Sequence, residues 1–172
     1  MEWLAYSAKG AVIARIIPAV RETESEKIAK PCEIQVMRLS RDQSHFDQIA
    51  RFPTFNGRTP LKLLVSDWAD RIVTLDEEGA MGRSDRAVVV YDGMGKVLGS
   101  WKLTELLTDR ERALVHSSVS STWWRDRELL VLRQFEIQGP VTFPDPRMPE
   151  RPVRYTLLLN LDKMSWENFL EK

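Results

Sequence analysis

A mainly β fold built of antiparallel hairpins is what this sequence predicts, and three features predict it. Apolar residues recur at period two through most of the chain, short turn-forming stretches join the segments that carry them, and a helical pattern is confined to one place. With 172 residues, 43% of them hydrophobic, there is material for a sizeable core, and residues 1–172 read as a single β-rich domain. The arrangement expected is a partial propeller-like array or a two-sheet sandwich with one short helical insertion.

Hairpins follow one another along the chain. WLAYSA (Trp3 to Ala8), the turn Lys9-Gly10 and AVIARII (Ala11 to Ile17) make the first. The charged, proline-bounded stretch from Pro18 to Cys32 reads as an exposed loop. EIQVMRL (Glu33 to Leu39), the polar turn Ser40 to Ser44 and HFDQIARF (His45 to Phe52) make the second hairpin. LKLLVSD (Leu61 to Asp67), the corner Trp68 to Asp70 and RIVTLD (Arg71 to Asp76) make the third, and AVVVYD with KVLGSWKL the fourth. A helical turn is expected over LTELL (Leu103 to Leu107), with Thr108 and Glu111 at capping-box spacing before DRERALV. SVSSTWW (Ser118 to Trp124), ELLVLRQFEI (Glu128 to Ile137) and VRYTLLLNL (Val153 to Leu161) return to strand, the last two separated by a proline-rich crossing.

SDWADRIVTLD followed by AVVVYDGMGKVLGSWKL resembles the strand pattern of a β-propeller blade, in which an acidic corner precedes one strand and an Asp-x-x-Gly hairpin makes the outer two. Thr59 to Leu132 is also similar to a set of uncharacterised bacterial β-rich proteins in which a segment like SVSSTWW follows the helical insertion. Trp68-Ala69-Asp70 stands where such a corner usually has glycine. At ~40 residues per blade, the chain holds about four blades at most. The resemblance implies an architecture and no activity.

Composition narrows the function. Lys plus Arg and Asp plus Glu both number 25, so the formal charge is zero and no basic field favours nucleic acid. The most apolar early run, Ala11 to Val20, carries Arg15 and Pro18 and is far shorter than the ~20 residues of a membrane helix. A cytoplasmic location is therefore the default expectation. A single cysteine, Cys32, forbids an intramolecular disulfide, and two histidines leave a His/Cys zinc site short of ligands.

The motifs that resemble chemistry each lack a part. Gly93, Gly95 and Gly99 miss the G-x-G-x-x-G spacing, and a strand pattern, with no helix N-terminus to hold a phosphate, follows them. His116 beside Ser117 and Ser118 has no nucleophile elbow, and Cys32 with His45 would need to meet across the second hairpin. Asp76, Glu77 and Glu78, with Asp85 beyond them, lack the alternating spacing of a calcium loop. No cofactor and no metal is expected.

What survives is a surface for another protein. Trp123 and Trp124 point to opposite faces of a strand, so one is free to anchor an interface. Pro146, Pro149 and Pro152 stiffen a loop that carries Arg147. The reading is a non-catalytic protein-binding domain, concretely an immunity or inhibitor protein that blocks a toxin or enzyme. Asp76, Glu77 and Glu78 would meet a basic cleft, with Trp124 anchoring a pocket and Arg147 contributed by the proline-stiffened loop. Two alternatives stand: a small hydrolase using His116, Asp76 and one serine of Ser117 to Ser121, or a structural subunit of a larger assembly.

Overall fold

A computed structural model describes residues 4–21, 28–56, 58–77, 85–109, 129–131, 134–138, 144–145, 148–152 and 154–171. The strands are β1 (Leu4–Tyr6), β2 (Val12–Ile17), β3 (Val20–Arg21), β4 (Ile28–Lys30), β5 (Glu33–Leu39), β6 (Phe46–Pro53), β7 (Lys62–Val65) and β8 (Arg71–Leu75). They continue as β9 (Val88–Asp92), β10 (Val97–Trp101), β11 (Leu129–Val131), β12 (Gln134–Gln138), β13 (Pro144–Asp145), β14 (Met148–Pro152), β15 (Arg154–Asn160) and β16 (Ser165–Glu171). One helix, α1 (Leu103–Leu106), is found among the described residues. The chain is mainly β, with one short helix among its described residues, as its patterning requires.

Three four-stranded antiparallel sheets hold most of these strands, in the orders β1-β2-β5-β6, β7-β8-β9-β10 and β11-β12-β15-β16. The sandwich extends to three layers because the middle sheet is apolar on both faces. Leu63, Val65, Ile72, Val89 and Tyr91 join one core with Val12, Ala14, Ile16, Ile34, Val36 and Phe52 of the first sheet. Their neighbours Val73, Leu75, Val88 and Val90 join another with Leu103, Leu106 and Leu107 around α1 and with Leu159 and Leu161 of the third. Alternate residues thus feed opposite cores, which explains why β9 opens with the unbroken apolar run Val88 to Tyr91. The outer face of the first sheet is instead crossed by a polar row, in which the Arg15 guanidinium donates to Gln35 and Gln35 donates to Gln48.

Several segments differ from expectation. The loop from Pro18 to Cys32 contains the short pair β3 and β4, and the proline-rich crossing contains β13 and β14. Glu128 to Ile137 is not one strand, since β11 and β12 pair with each other in the register Leu129 to Glu136. No Gly, Pro, Asn or Asp separates these two strands, so the sequence offers no turn signal there. β16 carries no clear period-two pattern, because Phe169 interrupts the alternation of Trp166 and Leu170.

Three hairpin turns share one hydrogen-bond plan that the sequence conceals. Ser7 N–H donates to Val12 O, Gly10 N–H to Ser7 O, and Val12 N–H to Ser7 Oγ. Ser66 and Ser40 repeat this with Arg71 and Ala69, and with His45 and Gln43. Asp92 does the same with one residue fewer, its carboxylate replacing the hydroxyl. Each turn needs a left-handed residue at its fourth position: Gly10 at φ 71°, Gln43 at 57°, Ala69 at 57° and Gly95 at 91°. Only two of these are glycine. Because a side chain in this region costs ~1–2 kcal/mol, Gln43→Gly at an exposed site should stabilise the fold by about 0.5–1 kcal/mol, seen as a higher urea midpoint with unchanged slope. An unchanged or lower midpoint would contradict that account.

Candidate protein-binding site

A meander sends alternate connections to the same end of a sheet, so the β1–β2 and β5–β6 turns emerge together in the first sheet and the β7–β8 and β9–β10 turns in the second. The β9–β10 turn lies over Phe52, toward the Cys32 end of β6, while the other three turns adjoin one another. Hydrogen bonds lock them to one another: Leu39 N–H donates to Ala11 O at 2.9 Å, Lys9 N–H to Asp67 Oδ1 at 2.8 Å, and Arg38 Nη2 to Trp68 O at 2.6 Å. The β7–β8 and β9–β10 turns are closer still. A Cβ added at Gly93 would lie 2.2 Å from Ala69 O, so only glycine lets these backbones approach. The glycines of the DGMGK stretch therefore turn and pack the chain, and Asp92 Oδ1 accepts the Met94 and Lys96 N–H groups that a phosphate would otherwise attract.

This ledge presents apolar side chains to solvent. Trp68 is 64% exposed and Met94 76% exposed, each at the tip of a turn whose backbone is fixed. The Lys9 ammonium lies 5.5 Å from the Trp68 ring, a cation–π contact that holds the indole upright. Around them stand Lys9, Arg38, Arg41 and Lys96, all exposed. The sequence marks Trp68 only as a corner residue. The alternation of strand residues cannot report which turn tips are covered.

The opposite end is occupied by a buried polar network. Asn56 Oδ1 accepts from Thr74 Oγ1 at 3.0 Å and from the Tyr91 hydroxyl at 3.2 Å, while Tyr91 accepts Phe55 N–H at 2.9 Å. Asn56 Nδ2 reaches Asp76 O at 3.4 Å. Burial pushes the Tyr91 phenol up to about 12. These groups tie the β6–β7 connection to the middle sheet.

The residues expected to bind a partner are distributed differently. Asp76 is fully buried with φ 51°, and its Oδ1 accepts Glu77 N–H at 2.9 Å. Its carboxylate shapes the β8 end and does not face solvent. Glu77 is half-buried and its Oε2 accepts Arg58 N–H at 3.2 Å. Glu78, Trp124 and Arg147 lie outside the described residues, as do His116 and Ser117 to Ser121. Asp76, Glu77 and the ledge lie at opposite ends of the middle sheet.

Cys32 and His45 do not meet. Cys32 O accepts Thr54 N–H at one end of the β5–β6 pair, whereas His45 O accepts Ser40 N–H at the other. Cys32 is buried, and that burial pushes its thiol pKa up, the reverse of what a nucleophile needs. Among the described residues, no group of three His, Cys, Asp or Glu side chains could hold a metal ion, and no helix is long and apolar enough to cross a membrane. Comparison with family models, with curated proteins and with solved structures returns no match.

Proposed function

We propose that this chain is a non-catalytic protein-binding domain and that it engages its partner through the four-turn ledge. The observation that carries this reading is the pair Trp68 and Met94, a large aromatic and a flexible thioether held in solvent on adjacent turns, each closed by its own hydrogen bonds. Such side chains, pre-positioned on rigid backbone, lose little entropy on docking and are typical interface anchors. The zero formal charge and mixed charged surface suit a protein partner better than a polyanion. The finer form of the proposal is an immunity or inhibitor protein that covers the active site of a toxin or enzyme. We also read the three stacked meanders as blade-like units, which the four-strand order of each sheet supports.

Trp68→Ala should weaken partner binding by about 2 kcal/mol or more, roughly thirtyfold, without changing thermal stability. The measurement is capture from the native host's lysate by the wild-type chain and by the variant, followed by titration of the protein retained. A single stoichiometric partner lost with Trp68→Ala supports the ledge. Retention of that partner at full affinity would place the interface elsewhere, with Glu77 the first residue to test.

A further inference from the structure

Asn56 is followed by Gly57, the pairing in which an asparagine side chain is most readily lost to attack by the next backbone nitrogen, because glycine has no Cβ to hinder the approach. Asn160 and Asn168 precede Leu161 and Phe169, whose bulk slows the same reaction. The fold withholds Asn56 from it. Its side chain is buried and anchored at both ends: Oδ1 accepts from Thr74 Oγ1 at 3.0 Å and from the Tyr91 hydroxyl at 3.2 Å, while Nδ2 donates to Asp76 O at 3.4 Å and to Arg86 O at 3.5 Å. The backbone is held as well. Phe55 N–H donates to the Tyr91 hydroxyl, and Asn56 O accepts the Thr54 hydroxyl at 3.4 Å. Ring closure needs the carboxamide to swing off all four partners and the Asn56 carbonyl to turn, so the network must open first.

We propose that Asn56 is a deamidation site gated by this network, so that opening of the β6–β7 connection exposes it to a permanent change. In the opened chain the Gly57 backbone nitrogen forms a bond to Asn56 Cγ, the Gly57 N–H proton ends on the leaving group, and the Cγ–Nδ2 bond breaks to release ammonia. Water then opens the cyclic imide at either carbonyl, leaving aspartate or isoaspartate at this position. Neither product restores the latch. A carboxylate there faces the Asp76 and Arg86 carbonyls with no proton to donate, and isoaspartate lengthens the backbone between Phe55 and Gly57. Conversion therefore turns a reversible opening into an irreversible one.

The test is peptide mapping by mass spectrometry of the full chain, incubated at mildly alkaline pH without urea, in urea graded below the unfolding transition, and in urea above it. Above the transition the peptide holding Asn56 should gain the mass of NH2 exchanged for OH and split into aspartyl and isoaspartyl forms. Gly57→Ala should suppress that gain, and the peptides holding Asn160 and Asn168 should stay unchanged. Without urea the wild-type rate should be at least about a hundredfold lower, and it should climb with urea in step with the population of the open state. Thr74→Val, which removes one donor to Asn56, should raise the urea-free rate about tenfold and leave the unfolded rate as it was. Should that variant not fold, the graded-urea series on the wild type decides by itself. Converted chains returned to buffer should unfold at lower urea than unconverted ones. The proposal is overturned by any of four results: no conversion at Asn56 in the unfolded chain, a urea-free rate equal to the unfolded one, a folded-state rate indifferent to urea or to Thr74→Val in a folded variant, or converted chains as stable as unconverted ones.

Discussion

Asn56→Ala should lower the unfolding free energy by about 3–4 kcal/mol, the largest effect expected of any single truncation at a polar site here. Asn56 is buried, and its side chain serves four groups at once: the Thr74 and Tyr91 hydroxyls, which donate to it, and the Asp76 and Arg86 carbonyls, which accept from it. Removing it leaves those partners without water or protein, at ~1–3 kcal/mol for each buried group that stays unsatisfied. Denaturant unfolding of the purified variant measures the effect. A midpoint within about 0.5 kcal/mol of wild type would show that water enters the site and that the network is not sealed. Because the loop after β6 hangs on this residue, the loss should also loosen the packing of the first sheet on the second.

The same network makes stability fall in alkali. The Tyr91 pKa is raised from its ordinary value of 10 to about 12, first because burial disfavours the phenolate, with Phe55 N–H and Thr74 offsetting part of that rise. A group whose folded pKa lies above its unfolded one contributes stability in full below the unfolded value. That contribution disappears as pH rises from 10 through 12. A shift of this size corresponds to roughly 2–3 kcal/mol. Urea midpoints of the wild type should therefore drop steeply between pH 10 and 12. Tyr91→Phe should start about 1–2 kcal/mol lower at pH 7, since Phe55 N–H loses its acceptor, and then show a shallower alkaline decline. Parallel slopes for the two proteins would mean that Tyr91 does not control the transition.

Strand positions were legible wherever one local rule governed the residues. The apolar run Ala11 to Ile17 after Lys9-Gly10 placed β2, and β5 follows the Glu33 to Leu39 run without a residue's error. Lys9-Gly10 and Asp92 to Lys96 announced their turns through glycine. The turns at Ser40 and Ser66 carry the same geometry, but with Gln43 and Ala69 in the left-handed position, so neither looks like the others in sequence. Tertiary hydrogen bonds hold those residues where local preference would not.

The candidate site was harder to read for a related reason. Asp76 looks like an exposed acid in the string Asp76-Glu77-Glu78, yet its backbone turns it under the end of β8, where it accepts a neighbouring N–H. Trp68 looks like any corner tryptophan, yet it is 64% exposed at the tip of the β7–β8 turn. Solvent exposure at a turn tip depends on what the adjacent turns do, and those are contributed by residues up to 58 positions away.

By itself the sequence determined the β class, the antiparallel hairpins and the absence of a phosphate-binding loop at Gly93 to Gly99, because period, turn chemistry and the strand after the glycines are local properties of the chain. Tertiary structure alone decided that the middle sheet is covered on both faces, that four unlike turns form one ledge, and that Trp68 and not Asp76 meets solvent. Those outcomes depend on which sheets stack and at what distance their backbones meet. That is a matter of complementary surfaces distant in sequence, on which no short stretch carries information.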